Sequence, residues 1–140
     1  MSINVTQASL LDAKGAKTAL TFEVLVPNPN LGQVLVIYFT DPLIQGTKGV
    51  QVQIEYSTGA NATALNWLTK EQTATKVQPY LFSQCEPIYC RSIAPLQDTP
   101  SVKTPYTANI TVPKEQKVFM SADSVGNPTP VGTDKMMFQF

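Results

Sequence analysis

The chain has 140 residues, 43% of them hydrophobic and 14% charged, and ten basic residues balance ten acidic ones to a formal net charge of zero. A chain of this length can bury a core as one ordinary domain, and we predict a single domain over residues 1–140. Because no basic stripe is present, the composition argues against nucleic acid and against a charged membrane surface as partners.

No histidine occurs in the chain, and its two cysteines are Cys85 and Cys90. Ser-His-Asp and Cys-His catalytic arrangements need a histidine, and a closed zinc site needs four ligands. We therefore expect neither a catalytic residue nor a metal site in this chain. With so few thiols and no visible secretory signal, we expect a cytoplasmic protein in which both cysteines are reduced and pack in the interior.

Strands dominate the first half of the predicted secondary structure. Residues 18–26 and 33–40 are predicted as strands, and the alternating prolines and asparagines of residues 27–30 predict a turn between them. A second turn at residues 46–49 leads into residues 50–56, where apolar and polar residues alternate strictly. This alternation predicts a strand that buries one face, formed by Val50, Val52, Ile54 and Tyr56.

Helical structure is predicted only as short turns. Residues 62–72 are one candidate, and a single turn after Asp98 is the other, with Thr99 as its N-cap and Pro100 at its first position. No stretch of the sequence shows sustained helical periodicity.

Two further strands are predicted near the end of the sequence, at residues 106–112 and residues 135–140. Eleven prolines, mostly between the predicted strands, are typical of a chain with many short loops. The predicted fold class is therefore all-β, an antiparallel β-sandwich or a strongly curved antiparallel sheet.

Residues 79–103 do not follow the alternating pattern. Gln84 and Glu86 lie two residues apart, which predicts that they share one face of a strand, and Arg91 and Asp98 follow. Taken alone, a Glu on a strand is most often a solvated side chain. The Arg91 and Asp98 side chains are most simply a structural ion pair.

This part of the chain resembles the N-terminal domain of the M1 zinc aminopeptidases, most closely the leukotriene A4 hydrolase branch. The resemblance rests on Phe-Ser-Gln-Cys at residues 82–85, Cys-Arg at residues 90–91 and Gln-Asp-Thr-Pro-Ser-Val-Lys at residues 97–103. Upstream, the sequence at residues 64–73 is also similar, and the good match covers residues 50–122.

The resemblance implies a β-domain that packs over a separate catalytic domain, and that second domain holds the zinc. Glu86 stands at the family position that binds the free α-amino group of a peptide substrate, and Gln84 at a position that lines the pocket for the first substrate side chain. A carboxylate pairs with an ammonium group and so selects substrates with a free N-terminus. In the leukotriene A4 hydrolases the position of Glu86 is commonly Gln, so Glu86 favours plain aminopeptidase recognition over epoxide hydrolysis.

The zinc-binding helix and the Gly-x-Met-Glu-Asn segment of the family's catalytic domain have no counterpart in this sequence. We therefore expect a partial N-terminal domain, either a fragment or a truncated paralogue, without activity of its own. Two functions remain open. The chain is either the substrate-recognition part of a larger zinc aminopeptidase or a freestanding β-domain without catalysis that binds a peptide or a protein.

Overall fold

Extended structure dominates the computed structural model, which describes residues 2–43 and 46–140. Within these residues there are nine β-strands, two short 3₁₀ turns and no α-helix. The strands are β1 (Ile3–Leu11), β2 (Lys17–Val24), β3 (Leu35–Tyr38), β4 (Gln51–Thr58), β5 (Leu65–Leu68), β6 (Tyr80–Ser83), β7 (Asn109–Pro113), β8 (Thr129–Val131) and β9 (Lys135–Gln139). Strands in the two larger sheets pair antiparallel, which confirms the predicted all-β antiparallel fold class.

The chain divides into two compact units. The first comprises Met1–Trp67 with Leu81–Pro100, and the second comprises Leu68–Tyr80 with Ser101–Phe140. A four-stranded sheet forms the first unit and a three-stranded sheet lies in the second, while β5 and β6 pair as a two-stranded sheet. The single domain expected from the chain length stays a prediction.

The four-stranded sheet has the strand order β3-β2-β1-β4. Ala8 of β1 lies opposite Leu20 of β2 on one side and opposite Ile54 of β4 on the other. Since directly opposed residues point to the same face, these three apolar side chains lie side by side. Ala8 is 1% exposed and Leu20 is 7% exposed, so the core of the first unit sits on this face.

The alternation predicted for residues 50–56 is present, but its apolar face is less buried than expected. The register places Val52, Ile54 and Tyr56 on one face of β4. Val52 and Tyr56 are nevertheless 37% and 40% exposed, and Val50, which precedes the strand, is 38% exposed. Because β4 is an outer strand of this sheet, fewer neighbouring side chains cover it. The prediction that all four residues are buried is therefore wrong for three of them, which are exposed, and the fourth, Ile54, is half-buried.

The turn predicted at residues 27–30 is confirmed. Asn28 and Gly32 exchange two backbone hydrogen bonds of 2.8 and 2.9 Å. The side-chain Oδ1 of Asn28 also accepts hydrogen bonds from the backbone N–H groups of Asn30 and Leu31, at 2.9 and 3.1 Å. Gly32 closes the turn with a φ of +84°, a conformation that residues with a Cβ rarely adopt.

The predicted helical turns are confirmed only in part. Residues 62–72 contain strand β5 followed by a 3₁₀ turn at Lys70–Gln72. A single turn at residues 100–101 follows Asp98, as predicted, but it does not extend into a helix; the second 3₁₀ turn lies earlier, at Cys90–Ser92. The Asp98 carboxylate itself accepts hydrogen bonds from Arg91. Within residues 2–43 and 46–140, no helix has the length and apolar character needed to cross a membrane.

The three-stranded sheet of the second unit has the order β7-β9-β8, so the last strand of the sequence is central. The strand predicted at residues 135–140 is confirmed as β9. The strand predicted at residues 106–112 is confirmed as β7, which begins three residues later, at Asn109. Beyond β9, Phe140 exchanges two backbone hydrogen bonds with Ala108, each 2.9 Å long. The Phe140 side chain is only 8% exposed and forms part of the core of this unit.

Candidate functional site

The candidate site follows directly after β6 in the first unit. The strand ends at Ser83, Gln84 continues in extended conformation, and Glu86 lies in a turn. The prediction that Gln84 and Glu86 share one face of a strand is therefore wrong. The chain turns here because the Cys85 carbonyl accepts a 2.7 Å hydrogen bond from the Tyr89 N–H, which folds residues 85–89 into a loop.

Cys85 and Cys90 close this loop as a disulfide, with their Cα atoms 4.7 Å apart. Both residues are half-buried. The expectation of two reduced cysteines in the interior is therefore wrong. The loop brings the two sulfurs together, and sequence spacing alone does not reveal this. The cytoplasmic location, for which reduced thiols were one argument, stays a prediction.

A network of hydrogen bonds fixes the start of the loop against β5. The Gln84 N–H donates to the Ala64 carbonyl at 2.9 Å. The Ala64 N–H in turn donates to Ser92 Oγ at 3.0 Å, and the Ser92 hydroxyl donates to the Tyr89 carbonyl at 2.7 Å. Ala64 is fully buried and Ser92 is 6% exposed, so solvent competes little for these bonds. Sequence reasoning gave neither residue a role, although Ala64 lies in the similar segment at residues 64–73 and Ser92 within residues 79–103, because nothing in the sequence shows that the two residues meet.

A second set of contacts fixes the chain beyond the loop. Arg91 donates to Asp98 Oδ2 from its backbone N–H at 2.8 Å and from Nε at 3.2 Å. Its Nη2 donates to the Asp98 carbonyl at 2.6 Å, and its Nη1 donates to the Leu31 carbonyl at 2.8 Å. The predicted structural ion pair between Arg91 and Asp98 is confirmed. It also connects the turn at Asn28–Gly32 to the segment that follows the candidate site.

The side chains of Gln84 and Glu86 themselves are exposed. Among residues 2–43 and 46–140, none forms an ion pair with the Glu86 carboxylate. A carboxylate held on a cross-linked loop and open to solvent can accept charge-assisted hydrogen bonds from an incoming ammonium group. The arrangement suits recognition of a cation.

The residues of this chain do not fit a zinc site. Zinc requires a cluster of His, Cys, Asp or Glu side chains. No group of three or more such residues that could hold a metal ion occurs in the described parts of the chain, and the sequence contains no histidine. Both cysteines are bound to each other in the disulfide.

Two open depressions lie in the second unit, separate from the candidate site in the first unit. One, of about 450 Å³, is lined by apolar side chains that include Phe119, Met136 and Phe138, with Lys114 and Lys117 beside them. The other, of about 400 Å³, follows residues 72–80. Neither is lined by Gln84 or Glu86.

Comparison with known proteins identifies relatives over the whole chain. Residues 2–140 match the sequence model of the peptidase M1 N-terminal domain. Leukotriene A-4 hydrolase of Xenopus laevis is 56% identical over 73 residues, which are 52% of this chain and 12% of that protein. Leucine aminopeptidase 2 of Aspergillus terreus is 37% identical over an alignment of 143 positions, which covers 99% of this chain and 22% of that protein. Leucine aminopeptidase 2 of Neurospora crassa is 53% identical over 64 residues, 46% of this chain and 10% of that protein. The chain thus spans no more than about a fifth of the length of these relatives.

Proposed function

Since this chain belongs to the peptidase M1 N-terminal domain family, we propose that it is the substrate-recognition part of a zinc-dependent aminopeptidase. In this proposal Glu86 binds the free α-amino group of a peptide substrate and Gln84 contacts its first side chain. The zinc belongs to a catalytic domain of the same enzyme, which is the partner of this chain. The observation that carries the proposal is the exposed carboxylate of Glu86 on a loop fixed at both ends.

The fixed loop matters because binding loses less free energy when the receptor is already ordered. The disulfide and the bond between Tyr89 and Cys85 hold the turn that contains Glu86. The bond between Gln84 and Ala64 holds the residue that precedes this turn. An ammonium group that meets Glu86 therefore finds the backbone that carries the carboxylate already ordered, and only the Glu86 side chain has to adopt one conformation to form a charge-assisted hydrogen bond.

The exposed surface supports a larger enzyme as the setting. The chain exposes 10964 Å². A compact monomer of this mass exposes about 7,100 Å², and two separate compact bodies of the same total mass expose about 8,600 Å². Large apolar side chains contribute to the excess, among them Val26 at 90%, Phe119 at 87% and Val77 at 67% exposure. A catalytic domain that covers part of this surface would remove apolar area from water.

A chimaera tests the proposal in a complete enzyme. The segment of the Aspergillus terreus leucine aminopeptidase 2 that aligns with this chain is replaced by all 140 residues of this chain, and hydrolysis of a leucine arylamide is measured. Loss of a hydrogen bond to a charged group costs about 1.5–3 kcal/mol, so Glu86→Ala should lower kcat/KM by at least about tenfold.

The matched control in the chimaera is Glu115→Ala. Glu115 is also an exposed carboxylate in a turn, but it follows β7 in the second unit. We expect its kcat/KM to stay at that of the parent chimaera. An unchanged kcat/KM in Glu86→Ala removes Glu86 from the substrate site.

The second candidate function, a freestanding β-domain that binds peptides, has one observation in its favour. The described contacts that fix Gln84 and the loop, which are the disulfide and the hydrogen bonds of Ala64, Tyr89 and Ser92, arise within the first unit. Titration of the 140-residue chain with a peptide, and with the same peptide acetylated at its N-terminus, separates the two functions. Binding of the free peptide by the isolated chain favours the module, whereas binding only in the chimaera favours the aminopeptidase.

A further inference from the structure

Four hydrogen bonds around the candidate site join into a closed ring. Starting from Ser92, the ring runs from Oγ to the Ala64 N–H, and from the Ala64 carbonyl to the Gln84 N–H. The peptide bond between Gln84 and Cys85 continues it. The Cys85 carbonyl then accepts from the Tyr89 N–H, and the Tyr89 carbonyl accepts from the Ser92 hydroxyl.

Only one side chain takes part in this ring. The other partners are backbone groups, which any residue except proline supplies. The Ala64 N–H depends on the Ser92 hydroxyl as its acceptor, whereas the Tyr89 carbonyl accepts from that hydroxyl at 2.7 Å and also from the Ser92 backbone N–H at 2.9 Å. Without that hydroxyl, the Ala64 N–H is left in a fully buried position without a partner. The ring then opens between Ser92 and Ala64.

We propose that Ser92 is a positioning residue: its hydroxyl closes the ring that sets the place of Gln84 and of the loop carrying Glu86. The inference rests on the proposed function for its effect on substrate, but not for its effect on the loop. Ser92 touches no substrate in this account. Its hydroxyl acts chiefly through Ala64 on Gln84, two residues before Glu86, because the Tyr89 carbonyl keeps the bond from the Ser92 backbone N–H without the hydroxyl.

A buried serine that serves only packing would have a different effect, and Ser9 provides the comparison. Ser9 lies in β1 of the same unit, is 1% exposed, and its Oγ accepts a hydrogen bond from the Gln7 side chain at 3.3 Å. It has no bond to any member of the ring. Ser9→Ala is therefore a matched control, with the same atom removed at a comparably buried position.

Amide hydrogen exchange of the full 140-residue chain tests the positioning role directly. Ser92→Ala should accelerate exchange at the amide of Gln84 by at least about tenfold, with a smaller effect at Tyr89, which keeps its backbone bonds, and little change at Ala8 in the sheet, because the ring opens locally. Ser9→Ala should leave both ring amides at their parent rates, and Ser92→Thr, which keeps a hydroxyl, should restore slow exchange. Equal acceleration throughout the unit, or no acceleration at Gln84, overturns the proposal.

Kinetics in the chimaera test the consequence for substrate. Ser92→Ala should raise KM for the leucine arylamide by about five- to tenfold with a smaller change in kcat. In a chimaera that already carries Gln84→Ala and Glu86→Ala the same substitution should have almost no further effect, since Ser92 acts on the substrate only through these two residues. Additive effects overturn the link from Ser92 to substrate. If Glu86→Ala itself changes nothing, the proposed function fails, while the exchange result still decides the positioning role.

Discussion

Arg91 donates three hydrogen bonds to Asp98, and these bonds join the two ends of the segment 91–98, which follows the candidate site. Two donors of Arg91 meet one carboxylate oxygen of Asp98, and a third meets the Asp98 backbone carbonyl. The Asp98 side chain is 11% exposed and that of Arg91 is 34% exposed, so the pair is largely shielded from water. A fourth bond from Arg91 reaches the Leu31 carbonyl.

The first prediction concerns the guanidinium group of this pair. Arg91→Lys keeps the charge, but one ammonium group cannot donate hydrogen bonds to both Asp98 and the Leu31 carbonyl, as the planar guanidinium does. We expect the free energy of unfolding to fall by about 2 kcal/mol, the cost of about two net hydrogen bonds. Urea denaturation followed by circular dichroism measures it.

Glu55→Gln is the control for that substitution. It removes the exposed pair of Lys17 and Glu55, whose side chains are 3.5 Å apart and about half exposed. Water screens such a pair, so its loss should cost less than about 1 kcal/mol. If Arg91→Lys costs no more than Glu55→Gln, the shielded pair has no special role in stability.

The second prediction concerns the disulfide between Cys85 and Cys90. The disulfide joins cysteines with a sequence separation of 5, and this cross-link reduces the conformational entropy of the unfolded chain, which favours the folded state. We therefore expect reduction to lower the free energy of unfolding by about 2 kcal/mol. Urea denaturation with and without a thiol reductant measures the difference. The double variant Cys85→Ser with Cys90→Ser should have the same free energy of unfolding as the reduced chain, and addition of the reductant should not change it. Alkylation of two free thiols in the folded, unreduced protein would contradict the pairing.

The third prediction contrasts two phenylalanines of the second unit. Phe140 is 8% exposed beside the central strand β9, whereas Phe119 is 87% exposed. Phe140→Ala should lower the free energy of unfolding by about 3 kcal/mol, because it leaves a cavity. Phe119→Ala should change it by less than about 0.5 kcal/mol. Equal effects in urea denaturation would show that Phe119 is covered in solution.

The fourth prediction concerns the ionisation of Tyr38. Its hydroxyl donates a hydrogen bond to the Glu23 carboxylate on the neighbouring strand β2. This bond, with smaller effects of desolvation and of the negative charge, raises the pKa of Tyr38 above its ordinary value of 10.0. Since the folded pKa is the higher one, the contribution to stability is present below the ordinary value and is lost as pH rises through the folded pKa.

An absorbance titration of tyrosinate checks this prediction. The chain has five tyrosines, and the last component to ionise should disappear in Tyr38→Phe. In Glu23→Gln the Tyr38 component should move to lower pH, because the negative acceptor of its hydrogen bond is lost. A titration curve that is the same in Glu23→Gln and in the parent chain contradicts the assigned cause.

Sequence alone predicted the all-β class and most strands, because hydrophobic alternation is a local property that the pleat of a strand converts directly into two faces. β4 and β9 follow from this pattern, and the turn at residues 27–30 follows from the backbone preferences of Pro and Asn. The same pattern predicted buried side chains in β4 that are exposed. Burial depends on the neighbours that the sheet order supplies, and β4 has a strand on one side only.

At the candidate site, sequence determined which residues are present, and tertiary structure decided how they are held. Gln84 and Glu86 could be selected from the family resemblance, but they lie after the strand rather than on it. The bonds that fix them join residues far apart in sequence, as Ser92 and Ala64 are, 28 positions apart. Such contacts leave no periodic trace in a sequence, because backbone groups supply most of the partners. Only the folded chain brings the Ser92 hydroxyl to the buried N–H of Ala64.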